Sequence, residues 1–125
     1  MRALVLLAIF VLLGCAEQRV AASDTEKEIA RTNLATCLYD ADGKIDDLTS
    51  DATTIAIGLV GTCGRDFEAL DKVLYQQENL QVKALMAQNA MQRRIELATK
   101  TVLEIRSAAR AAAQKKLKKP SGDQI

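Results

Sequence analysis

RDFEALDKVLYQQENLQVKALMAQNAMQRRIELATKTVLEIRSAARAAAQKKLKK, residues 65–119, runs for 55 positions without a single Gly or Pro. Ala, Leu, Gln, Lys, Arg and Glu dominate it, and all of them favour helix. A seven-residue series passes through Leu70, Gln77, Ala84, Met91, Ala98, Ile105 and Ala112. A companion series of Val73, Leu80 and Ala87 ends at Arg94 and Thr101. Beyond Met91 the better apolar stripe is Ile95, Ala98, Val102, Ile105 and Ala109, spaced three and four apart. One unbroken helix would be about 80 Å long, out of proportion to so short a chain. Gln76-Gln77-Glu78-Asn79 is the natural place to turn, with Asn79 able to cap the next helix.

Upstream, Ser23-Asp24-Thr25-Glu26 has the spacing of a capping box. Ala30, Leu34, Cys37, Leu38 and Ala41 recur behind it at helical intervals, and Gly43 supplies a stop. These features predict a first helix over about 24–40, followed by a polar turn over 40–50. Ser50 or Asp51 caps a second helix with Ile55, Leu59, Thr62 and Cys63 along one side. Gly58, Gly61 and Gly64 repeat within it; the first two suit a close helix crossing and the third a kink or break. No segment alternates as a strand would. The expected fold is all-α: a small bundle of three to four helices over 23–119, with a long C-terminal helix. Pro120 to Ile125 is expected to be a disordered tail.

The N-terminus reads as an address. Arg2 precedes the apolar run Ala3–Leu13, about 16 Å as a helix and roughly half a bilayer core. That length suits the apolar region of a signal peptide over 1–14. The exit, Leu12-Leu13-Gly14-Cys15, resembles the lipobox of bacterial lipoproteins. The resemblance implies cleavage before Cys15, lipidation of its thiol, and a tether over 15–22. Ala16 after the Cys implies the outer membrane rather than retention at the inner one. The alternative is ordinary cleavage after Ala16 or Ala22, giving a freely periplasmic or secreted protein.

With Cys15 set aside, Cys37 and Cys63 remain as an even pair in an exported chain. A bridge between them would close a loop of 25 residues, worth about 3 kcal/mol on the loop-entropy account. Two buried free thiols are the alternative. No Cys-x-x-Cys spacing marks a redox catalyst. In size, tether, single cysteine pair and helical content, the chain resembles the pilotins of secretion systems, although no residue motif is shared.

Composition narrows function. The chain has no His, the commonest general base and neutral metal ligand. Its net charge of +1 and four aromatics argue against nucleic-acid binding. Ser23, Ser50, Ser107 and Ser121 have no His base or Gly-x-Ser-x-Gly context, and Lys100 has nothing to desolvate it. The reading is a non-enzyme without a cofactor. Asp40-Ala-Asp42-Gly43-Lys44-Ile45-Asp46 imitates the centre of a calcium loop. Leu38 and Thr49 stand where the first Asp and the bidentate Glu belong, so Asp40, Asp42 and Asp46 would make a weak site at most. The ordinary reading is a helix stop and turn, where Asp and Gly are favoured for backbone reasons. Asp46, Asp47 and Asp51 lack the second cluster that a magnesium-diphosphate site needs.

Charge is unevenly distributed. Residues 23–78 hold twelve acidic and five basic side chains, whereas residues 83–119 hold ten basic and two acidic. Either the halves neutralise each other, or Lys115, Lys116, Lys118 and Lys119 reach an anionic surface, at about 1 kcal/mol each beside anionic lipid. The sequence therefore suggests an exported, lipid-anchored interaction module of the bacterial envelope. Its partners would be the membrane, through the anchor, and an unidentified envelope protein or anionic surface. A weak calcium- or small-ligand-binding protein using residues 40–51 is the alternative.

Overall fold

The computed structural model describes residues 21–118. The leader, Cys15, Lys119 and the tail lie outside the described residues. Five helices succeed one another: α1 (Asp24–Ile45), α2 (Ala52–Thr62), α3 (Gly64–Tyr75), α4 (Leu80–Gln88) and α5 (Ala90–Lys118). No strand is present among the described residues.

The expected caps form. The Ser23 hydroxyl accepts from the Glu26 N–H while Glu26 accepts from the Ser23 N–H, at 3.2 and 2.7 Å. Asp51 accepts from the Thr53 and Thr54 amides, and Asn79 from the Val82 amide. The turn over 76–79 thus divides the Gly-free stretch. Two further breaks, at Cys63 and Asn89, interrupt helices by one residue each.

Gly43 does not end α1, which continues to Ile45. The extra turn buries Ala41 and Asp42 and sets Ile45 against Gly58, whose Cβ position is 3.5 Å from Ile45 Cγ2. That packing outweighs the roughly 1 kcal/mol that a helical Gly costs against Ala. Gly58 therefore makes the expected close approach. Gly61 does not, since nothing lies within 4 Å of its Cβ position.

Three arms make the bundle. α1 runs up, α2 and α3 run down as one broken arm, and α5 runs up again. The disulfide Cys37–Cys63, with Cα atoms 5.9 Å apart, ties the middle of α1 to the α2–α3 junction. Leu34, Leu38, Ile55, Ala56, Leu59, Val60, Phe67, Ala98 and Val102 pack into one core around it. The α5 stripe holds through Ile95, Ala98 and Val102, then reaches solvent at Ala109. α4 buries no side chain and rests mainly on α5.

Direction follows from the side-chain pairings. Arg94 of α5 meets Asp71 of α3, whereas Arg106 meets Asp46 and Ser50 at the α1–α2 turn. One pole therefore holds the start of α1, the end of α3 and all of α4. The opposite pole holds the α1–α2 turn, and α5 projects beyond it.

Candidate functional site

The residues read as a calcium loop do not converge on a cation. Asp40 and Asp42 sit within α1, because the helix overrides Gly43. Asp40 is exposed while Asp42 is buried. Asp46 is committed to Arg106, whose Nε and Nη2 donate to its two oxygens at 2.8 and 2.6 Å. Among the described residues no three acidic or sulfur side chains gather as a metal site. As placed, Asp40, Asp42 and Asp46 do not form the three-carboxylate cluster expected of a calcium loop.

A polar lock between helices occupies that position instead. Arg106 Nη2 also donates to the Ser50 carbonyl at 2.9 Å. The Asp46 carboxylate accepts from the Leu48 amide as well. The Arg106 hydrogen bond is the chief reason Asp46 titrates below the usual carboxylate range, and it raises Arg106 in turn. Asp42, one turn earlier, has an Oδ1 with no hydrogen-bond partner. Burial pushes its pKa up, and the charge on Asp46 adds to the rise, while Arg106 opposes it. Asp47 titrates low because the Ser50 hydroxyl and the Ser50 and Thr49 amides all donate to it.

At the other pole α3, α4 and the start of α5 enclose a groove of about 620 Å³. Asp71, Lys83, Arg93 and Arg94 are engaged within the protein. Arg94 Nη2 meets Asp71 at 2.7 Å. Arg93 donates to the Tyr75 hydroxyl at 2.8 Å and to the Met86 carbonyl at 2.9 Å, with its guanidinium over the Tyr75 ring. Lys83 donates to the Gln76 carbonyl at 2.9 Å. This network holds the otherwise unburied α4 in place. A smaller groove of about 390 Å³ lies between α1, α3 and α5, lined by Leu34, Leu38, Leu70 and Leu97.

The third feature is the α5 extension. Residues 107–118 are all exposed, about 18 Å of helix beyond the body. Arg110, Lys115, Lys116 and Lys118 lie on it, with no acidic residue in the described chain after Glu104. The two readings of the basic half are thereby divided by position. Arg93, Arg94 and Arg106 neutralise acids of the first half, whereas the terminal lysines lie clear of it.

Periodicity missed Arg93, Arg94 and Arg106, since an arginine in an apolar register reads as an interruption. The signal was present at Arg94, where a heptad position became charged beside the aromatic Phe67, 5.7 Å from its guanidinium.

Compared with known proteins, the chain matches no family model, no curated protein and no solved structure. No described helix is long and apolar enough to cross a membrane.

Proposed function

We propose that this protein is an exported helical interaction module, lipid-anchored through Cys15 at the bacterial envelope, that offers the basic end of α5 to an anionic partner. The observation that carries the reading is the α5 extension: twelve consecutive exposed residues, four of them cationic, on a body that contributes nothing to cover them. A helix adds no core contact by continuing past its bundle, so this segment serves something outside the domain. The Cys37–Cys63 disulfide is compatible with an oxidising, exported setting. The Leu12-Leu13-Gly14-Cys15 exit supports the anchor, and Ala16 supports the outer membrane.

Two measurements test it. Intact-mass analysis of the mature protein is expected to show acylation at Cys15, lost in Cys15→Ser. A photoreactive residue at position 114 is expected to crosslink in living cells to one anionic envelope component or acidic protein. Absence of any specific adduct would refute the proposed contact. A mass matching cleavage after Ala16 or Ala22 would refute the anchor.

A further inference from the structure

The pole from which the chain leaves toward Cys15 is also the pole that carries α4. From Cys37 back to Asp24, α1 descends about 20 Å, and from Cys63 to Tyr75, α3 descends about 18 Å. The two helices pack along each other, so Asp24 and Tyr75 lie at one level. α4 comes directly after the turn at 76–79, held there by Lys83 on Gln76 and by Arg93 on Met86.

α4 is unlike the other helices. It has no buried residue. Its outward face carries Leu80, Gln81, Ala84, Leu85 and Gln88, and Leu80 is 78% and Leu85 54% exposed. Met91, three positions after Gln88 at the start of α5, is 59% exposed. No acidic residue occurs between Glu78 and Glu96, and the one cation of α4, Lys83, is turned to a backbone carbonyl. The result is an apolar face with amide side chains and no charge, a face that enters a lipid interface without desolvating an ion.

Chain length decides what covers it. Ala21 stands six positions after Cys15, and six residues span at most about 20 Å when fully extended. A lipid on Cys15 therefore holds this pole, and not the α5 extension, against the bilayer. We infer that α4, with Met91, is a foot that seats the domain on the membrane holding its anchor, inserting Leu80 and Leu85 among the headgroups. This inference rests on the lipid anchor proposed above. Three apolar side chains bind a bilayer weakly when free, but a short tether raises their effective concentration at its surface. Seated in this way, the domain directs the cationic end of α5 away from the anchoring membrane, toward whatever anionic surface faces it.

The chain has no Trp, so one introduced Trp is an unambiguous reporter. Leu80→Trp, Leu85→Trp and, at the far pole, Leu117→Trp all fall at exposed positions that leave the core intact. Each acylated full-length protein is placed in vesicles whose acyl chains carry bromine, a short-range quencher. The Leu80 and Leu85 reporters are expected to shift to the blue and lose most of their intensity, at high salt as at low. The Leu117 reporter is expected to stay unquenched. Leu80→Trp repeats the measurement should Leu85→Trp fail to fold. Full intensity at both foot positions in a protein of confirmed acylated mass would overturn the foot and leave the anchor standing. Lack of acylation would remove both. A blue shift that grows with protein concentration and resists bromine would mean a second copy covers α4, and quenching at Leu117 would mean the opposite orientation. Either outcome overturns the inference.

Discussion

Asp42 in the last turn of α1 and Asp46 at its C-cap titrate in opposite directions. Asp46 lies below the usual carboxylate range because Arg106 donates two hydrogen bonds to it. Its contribution to stability is therefore present above that range and is lost as pH falls through its depressed pKa. Asp42 is raised, by burial first. A raised carboxylate works against folding once ionised, and acid relieves that burden as pH falls through its pKa. Asp42→Asn is accordingly expected to raise the melting temperature at pH 7, with the gain shrinking in acid. Thermal melts of both proteins across that pH range measure it, and a lowered melting temperature at pH 7 would contradict it. Leu48 is a second local cost, being the only non-Gly residue with positive φ in the described chain (61°), and it is 70% exposed. Left-handed backbone costs an L-residue about 1–2 kcal/mol. Leu48→Gly is therefore expected to stabilise the protein by up to about 1 kcal/mol in urea denaturation. No change would show that Leu48 recovers the strain through contact.

At the scale of elements, the disulfide and the caps do different work. The bond joins positions 26 apart at the point where α2 gives way to α3. Reducing it, or replacing Cys63 with Ala, is expected to cost about 3 kcal/mol and to lower the melting temperature by roughly 10–20 °C. A melt unchanged in reductant would remove its structural role. The cap at Asn79 matters for α4 in particular, which has no buried side chain to hold it. Ser23, Asp51 and Asn79 are legible in the sequence, because a cap depends on residues two or three positions away. The persistence of α1 through Gly43 is not. That extra turn exists because Ile45 finds Gly58 and Ala41 finds the core, contacts that no local window contains. The same cause reshapes the acidic segment read as a calcium loop. Once the helix continues, Asp40 is left in solvent, Asp42 is buried, and Asp46 closes on Arg106.

For the whole molecule, the meaningful division is between body and projection. Residues 107–118 bury nothing, so ending the chain at Ser107 is expected to leave the melting temperature within about 2 °C. The same truncation removes Arg110, Lys115, Lys116, Lys118 and Lys119, and is expected to abolish the salt-sensitive retention of the unlipidated protein on anionic vesicles. Binding that survives truncation would assign the contact elsewhere. A large drop in melting temperature would make the extension part of the fold.

The residues alone determined that the described chain is helical, where three of its helices begin, and which two cysteines remained to pair. Those properties come from hydrogen bonds and caps that act over three or four positions, so they can be read along the chain. Tertiary structure decided that Arg106 meets Asp46 across 60 residues, that Asp42 is buried with its Oδ1 unpartnered, and that α4 and the basic end of α5 occupy opposite poles. Such outcomes depend on how three arms settle against one another. Packing chooses among many pairings of equal local plausibility, and a charge pattern by itself does not say which of them will touch.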